Sequence, residues 1–222
     1  MIEIKGVNGD VKAVPATGGE VEVSAEMRGR RSNPADVRLD IVQHAEGVTI
    51  CAIYPSGDGV PNTCEPGDGG KMRVRDNDVR VTFTVRVPAG VRFSGRTVNG
   101  SVSAENLGAP VTAETVNGDI TFTTSAYGSA KTVNGEIRGS LGSSDWTGAL
   151  AFKTVNGSVS LDLPASTSAD VRATTVNGSI STDFPVTTSG TVNRRQLRGT
   201  IGSGGRELEI GTVNGSVTLK RM

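Results

Sequence analysis

Apolar and polar residues alternate in short runs along the whole chain, and no stretch carries the three-to-four spacing of an amphipathic helix. Ile2 and Ile4 open the pattern, and Val11 and Ala13 follow. Val21 and Val23 form one further run, Val37, Leu39 and Ile41 another, and Val48, Ile50 and Ala52 a third. Val79, Val81, Phe83, Val85 and Val87 then alternate with Arg80, Thr82, Thr84 and Arg86, which predicts a strand with one buried face. From Pro88 onward the runs shorten and recur around Thr-Val-Asn-Gly, at 97–100, 115–118, 132–135, 154–157, 175–178 and 212–215. Gly6-Val7-Asn8-Gly9 is a near copy, and Thr191-Val192-Asn193-Arg194 is a degenerate one without the glycine. The intervals between threonines are 18, 17, 22, 21 and 37 residues. Periods near 20 are the mark of stacked repeats.

The register of the repeat makes a specific expectation. Six residues before each Asn stand Phe93, Val111, Gly128, Leu150, Val171 and Leu208, and four before it Gly95, Ala113, Ala130, Phe152, Ala173 and Ile210. Three before it the row holds Arg96, Glu114, Lys131, Lys153, Thr174 and Gly211, and its charged members must face water because unpaired buried charge is costly. Strict alternation then places Thr and Asn inside and Val outside. The asparagines Asn8, Asn99, Asn117, Asn134, Asn156, Asn177 and Asn214 should stack inward as an amide ladder, with Gly supplying a positive φ at the corner. Three residues after Asn the chain is apolar again, at Val11, Val102, Ile120, Ile137, Val159, Ile180 and Val217. Repeats of 17–22 residues suit three short strands and three corners. The expected fold is all-β: a single-stranded parallel β-helix, or β-solenoid, forming one domain over 1–222. Residues 1–87 would form irregular N-terminal coils with longer strands, hairpins and a cysteine loop, and 88–222 the regular repeats. Asn-Gly is also a strong hairpin signal, so a propeller or sandwich is the rival. A corner that stays constant while its flanks vary in length favours the solenoid.

Composition narrows the function classes. The 222 residues are 35% apolar and 4% aromatic, lean for a globular core but sufficient for a narrow stacked interior. Lys and Arg number 23 and Asp and Glu 23, so no bulk field draws nucleic acid or an anionic membrane. No run of 18 apolar residues is present, so direct membrane insertion through a helix is not expected. Met1 leads straight into Ile2-Glu3-Ile4, which reads as an exported domain whose signal peptide is absent from this sequence, although a cytosolic protein would begin in the same way. Cys51 and Cys64 flank a loop rich in Pro, Gly and Asp and read as a structural disulfide, which implies an oxidising compartment; a pair of free thiols is the alternative. A zinc site would need more ligands than these two sulfurs and the single histidine, His44, supply.

Val87-Pro88-Ala89-Gly90-Val91, the series Thr-Val-Asn-Gly followed by Ser, Asp or Glu and then Val or Ile, and the closing Gly202-Ser203-Gly204-Gly205 resemble the DUF4097 family of β-strand-repeat proteins, akin to adhesin head domains. The resemblance is densest from 79 to 222. It implies a right-handed β-helix, exported to the bacterial periplasm or cell surface, and a family without an agreed enzymatic activity. Arg194, in place of the corner glycine, departs from the pattern and predicts an irregular coil there.

Little in the chain is arranged for catalysis. Glu114, Asp119, Glu136, Asp162 and Asp183 occur singly, and none recurs at one position in adjacent coils. His44 lies in a turn-like stretch and reads as a surface histidine. Asp76-Asn77-Asp78 opens like a calcium loop without the later ligands, and 65–72 is glycine-rich without the pattern of a phosphate loop. The basic turn 28–34 reads as a solvated loop, with an anion site as the alternative. Trp146 and Tyr127 fall at corners and are candidate surface contacts for a sugar or partner. Four corners match the Asn-x-Ser glycosylation pattern, but an inward Asn could not carry a glycan. The outer row Val98, Val116, Val133, Val155 and Val176 would form an apolar stripe stepping about 4.8 Å per rung. The expected function is a non-catalytic, exported, structural or adhesin-like module acting through a rigid repeat face. It would need no cofactor, its partners would be a cell-surface protein or glycan, and it would be a monomer or associate weakly. The alternatives are a polysaccharide-binding or polysaccharide-cleaving β-helix, and a self-assembling envelope scaffold. Lys220 and Arg221 look like an edge guard against the last.

Overall fold

A computed structural model describes residues 1–57, 59–188 and 193–222. Its regular structure is almost wholly strand, with one 3-10 turn at Pro34–Asp36. The strands form two sheets, of eleven and nine members, each mostly parallel. A regular coil runs from a strand of the first sheet, through Thr-Val-Asn-Gly, to a strand of the second. Phe93–Arg96 leads to Val102–Leu107, Val111–Glu114 to Ile120–Thr124, Gly128–Lys131 to Ile137–Leu141, and Ala149–Lys153 to Val159–Leu163. The corners join through single parallel bridges between asparagines. The solenoid is therefore two-sided with a bridged corner, where 17–22 residues had suggested three strands per coil.

The interior is narrow, and large side chains are matched to absent ones. The positions six and four before each Asn are buried throughout. Phe122 and Phe152 stack with centroids 6.3 Å apart. Phe122 fills space that a side chain on Gly128 or Gly139 would contest, since a Cβ there would meet its ring at 2.7 and 2.8 Å. One apolar cluster runs from Ile2 to Leu219.

Coil order departs from chain order at both ends. Ile2–Lys5 lies between Gly47–Ile53 and Phe93–Arg96, and Val11–Pro15 between Arg80–Val87 and Val102–Leu107. At the other end, Glu207–Gly211 lies between Ala149–Lys153 and Ala169–Thr174, and Val217–Arg221 between Val159–Leu163 and Ile180–Thr182. Asn156 therefore stacks on Asn214, and Asn214 on Asn177. Antiparallel strands close three of the four sheet edges, the fourth being Ile180–Thr182. Glu22–Arg28 and Arg38–His44 pair with Arg80–Val87 and Gly47–Ile53, and Gln196–Ile201 pairs with Ala169–Thr174. The degenerate repeat adds no Asn rung: Asn193 and Gln196 bridge antiparallel across a turn, and this turn lies against the Thr175–Gly178 corner, where Ile180 N donates to Arg194 O at 3.0 Å and Thr175 N to Arg195 O at 2.9 Å. Thr191 and Val192 lie outside the described residues.

The described residues of 54–79 stand where other coils have their short corner, between Gly47–Ile53 and Arg80–Val87. A Cys51–Cys64 disulfide, with Cα atoms 5.7 Å apart, ties this insertion to the strand it leaves.

Candidate functional site: the corner ridge and its basic cleft

Each corner is built from the four repeat residues by different forces. The threonines of the six full copies are 5–6% exposed. Their hydroxyls donate to the corner-glycine carbonyl of the adjacent coil at 2.8–3.1 Å, as Thr115 does to Gly100 and Thr132 to Gly118. Val98, Val116, Val133, Val155 and Val213 are 38–39% exposed, and Val176 is 54% exposed. The asparagine side chains also face water, which corrects the inward orientation expected for Asn99, Asn117, Asn134, Asn156, Asn177 and Asn214. Alternation fails here because the chain bends: Val and Asn both fall on the convex side, while each Asn N–H stays bound to the Val carbonyl of the adjacent coil at 2.7–2.8 Å.

The amides form one row. Asn99 donates from Nδ2 to Asn8 Oδ1 at 2.9 Å, Asn117 to Asn99 at 2.8 Å, and Asn134 to Asn117 at 2.8 Å. Asn156 donates to Asn134 at 2.7 Å, Asn214 to Asn156 at 2.7 Å, and Asn177 to Asn214 at 2.8 Å. Burial is thus no reason to exclude a glycan on the Asn-Gly-Ser corners: each of those Nδ2 atoms gives one hydrogen to the ladder and keeps the other.

The glycine is explained by stacking more than by φ. Gly9, Gly157 and Gly215 have positive φ, of 125°, 156° and 157°, but Gly100, Gly118, Gly135 and Gly178 do not. A Cβ on Gly118 would sit 2.0 Å from Gly100 O, and one on Gly135 2.0 Å from Gly118 O.

At the first rung the insertion folds over this ridge. Val7 is only 9% exposed, and Met72 and Val74 pack against the core nearby. The segment is gripped by charged side chains of the first two coils. Lys5 Nζ donates to Glu65 O at 2.6 Å and Gly69 O at 2.9 Å, and Gly67 N donates to Glu3 Oε2 at 3.0 Å. Arg96 Nη1 donates to Gly67 O at 3.1 Å and to Asp68 Oδ1 at 2.6 Å. Glu3 is 1% exposed and also accepts from Thr49 Oγ1 at 2.8 Å, which lies 3.2 Å from His44 Nε2. His44 is thereby half-buried and tied to this network. The hydrogen bond and charge of Arg96 hold the Asp68 carboxyl below its ordinary range, while burial pushes the Lys5 ammonium down. The network docks a loop, which accounts for its charges without chemistry.

Beside the same rung opens a cleft of about 1030 Å³, lined by Asn8, Asn99, Asn77, Asp78, Gly29 and the arginines Arg28, Arg30, Arg31 and Arg80. Asp78 accepts from Arg31 N at 3.1 Å and Ser32 N at 2.9 Å. Those N–H groups, Ser32 foremost, hold its carboxyl below the ordinary range. Asn77 Oδ1 accepts from Val79 N at 3.0 Å, so 76–78 is a stitched turn. Arg28 pairs with Glu26 at 2.5 Å, Arg31 with Asp78 at 3.8 Å and Arg80 with Asp10 at 3.9 Å. Arg30 has no carboxylate partner among the described residues. The sequence shows the basic turn, but not that it meets the first two corners; only the fold joins residues 8, 28–31, 77–80 and 99.

Trp146 is not a surface contact. It is 2% exposed, and its Nε1 donates to Glu207 O at 3.2 Å, because the inserted final coil passes beside it. Tyr127 is half-buried against the core. Neither offers an exposed aromatic platform. Among the described residues, no three of His, Cys, Asp and Glu gather closely enough to hold a metal ion.

A two-sided parallel solenoid with a bridged Asn corner defines the class of this protein. The family model for Toastrack DUF4097 matches residues 2–220, and the chain belongs to that family. No curated protein matches it. Among solved structures it is similar to a "putative cell adhesion protein" from Clostridium sporogenes, at 10% identity and TM-score 0.48, over 100% of this chain and 92% of that one. It is also similar to a "putative adhesin" from Bacteroides fragilis, at 13% identity and TM-score 0.42, over 100% and 91%. Both likenesses are too weak to bear on function.

Proposed function

We propose that this chain is a non-catalytic, exported surface module of the adhesin type, engaging its partner through the Val–Asn ridge. The observation that carries this reading is the ridge itself. Six valines stand exposed in one row beside seven hydrogen-bonded amides, on a backbone bridged at every rung. Aligned apolar stripes mark contact surfaces more often than scattered valines do. Rigid presentation lowers the entropy lost on binding. Export is supported by the Cys51–Cys64 disulfide, since such bonds persist in oxidising compartments. Among the described residues, no helix is long and apolar enough to cross a membrane.

Beads coated with the chain should adhere to intact bacterial cells, and the Val116→Lys/Val133→Lys/Val155→Lys variant should lose at least tenfold in retained beads. Equal retention by both, with both folded, would remove the ridge as the contact surface. Hydrolysis of any tested polysaccharide by the wild-type chain would overturn the non-catalytic reading.

A further inference from the structure

We propose that the cleft at the first rung binds an acidic polysaccharide, its guanidinium groups taking a carboxylate or sulfate and its amides the neighbouring hydroxyls. The inference rests on the reading of the chain as an exported surface module and assigns its ligand class. The lining is made of four arginines, three asparagines, one aspartate and one glycine, without an aliphatic or aromatic side chain. Guanidinium forks match carboxylate and sulfate oxygens in pairs. The one acid of the lining, Asp78, is already committed to backbone N–H groups of the turn that carries Arg31. The side chains of Arg28, Arg31 and Arg80 are 78%, 90% and 59% exposed, so their existing ion pairs are weak and can open to a ligand. Arg30, without a carboxylate partner among the described residues, can take one directly.

The amide row gives the cleft a direction. An Asn side chain has two N–H donors and two acceptor lone pairs. Each interior ladder amide spends one donor and one lone pair on its neighbours, which leaves one of each for solvent or a ligand. Asn8 and Asn99 line the cleft and are also the first two rungs. A polysaccharide anchored by its acidic group among the arginines therefore meets a regular row of paired donors and acceptors, suited to sugar hydroxyls. Nucleic acid fits less well. The lining has no aromatic ring for base stacking, and the whole chain is electroneutral.

Titration calorimetry on the full chain tests this with four probes: oligogalacturonate, a sulfated heparin oligosaccharide, neutral dextran and a single-stranded DNA oligonucleotide. Binding is expected for the galacturonate or the heparin probe, and which of the two binds more tightly separates carboxylate from sulfate as the recognised group. Neutral dextran should not bind. Arg30→Ala, at an exposed and unpaired position that leaves the fold intact, should weaken binding about tenfold, while Arg30→Lys should recover only part because it keeps charge without the fork. Asn99→Ala should weaken it several-fold, and Arg172→Ala, outside the cleft, should leave it unchanged. No binding of either acidic probe, equal binding of dextran, tighter binding of DNA, or an unaltered Arg30→Ala each overturns the proposal. These outcomes leave the bead result unchanged, so a failure here and a failure of the ridge reading are told apart.

Discussion

At the fourth position of the corner a methyl group does not fit. A Cβ on Gly118 would meet Gly100 O at 2.0 Å, and backbone cannot step aside as a side chain can. Gly118→Ala should therefore cost about 3 kcal/mol or more, at or above the top of the overpacking range. Gly108→Ala is the control: its Cβ meets nothing nearer than 3.5 Å, so the change should be nearly neutral. Urea unfolding of both variants measures the difference. Thr132→Val should cost about 1 kcal/mol, the usual worth of one hydrogen bond, because it removes the donor to Gly118 O. Much of this was legible in the sequence. The charged row beginning at Arg96 sets the phase, which places Thr inside and Val outside. The same alternation carried one residue too far puts Asn inside, because nothing in the residues announces that the bend gives two successive side chains to its convex face. The glycine was legible as a corner residue, but only part of the reason was: a positive φ holds at Gly9, Gly157 and Gly215, while the constraint common to the row comes from the neighbouring coil.

The insertion 54–79 is the element that gives the repeat a site. It is held at Cys64 by the disulfide and at 65–69 by Glu3, Lys5 and Arg96. Closing a loop of about 15 residues is worth roughly 3 kcal/mol in the chain-entropy account. Reduction, or Cys51→Ala with Cys64→Ala, should lower stability by about that amount and open the segment to proteolysis before the repeats unfold; limited proteolysis with mass spectrometry reads this. The turn around 30–32 depends on acid as well. Asp78 titrates below its ordinary 3.8 because backbone N–H groups stabilise its charged form. Its contribution is therefore fully present above 3.8 and is lost as pH falls through the lower folded value. Thermal melts of wild type and Asp78→Asn should differ at pH 6 and converge towards pH 2. The cysteine spacing made the staple legible. The docking network was not, because Glu3 lies on the outward face of its strand and is buried only by a loop more than sixty residues away in sequence.

Across the whole molecule, three of the four sheet edges are closed by antiparallel pairing, and the fourth is the short parallel strand Ile180–Thr182. Glu22–Arg28 and Arg38–His44 carry charges along the edge they present, which disfavours further pairing, as edge strands of soluble proteins commonly do. Light scattering over a concentration series should therefore hold at the mass of one chain, and growth with concentration would favour the scaffold alternative. The larger consequence is at the other end, where the last coil in the sequence is not the last in the stack. Strands 207–211 and 217–221 each bond on both sides, to the coil of 149–163 and to that of 169–182. The only trace in the sequence is the long 37-residue interval, which is silent on where the missing rung goes. Deleting 205–222 removes an interior rung. Val159–Leu163 and Ile180–Thr182 would then face one another across a gap two strand spacings wide, about 9.6 Å, which backbone hydrogen bonds cannot bridge. In this solenoid each coil is held chiefly by its neighbours, so loss should spread outward from the gap and stop where stacking is continuous. Hydrogen exchange on the truncated chain should show Ile180–Thr182 unprotected, since Val217–Arg221 is its strand partner, with Ile120–Thr124 and Ile137–Leu141 still protected. If the outer coil kept its protection, the final coil would be a surface appendage and the stacking order described above would be wrong.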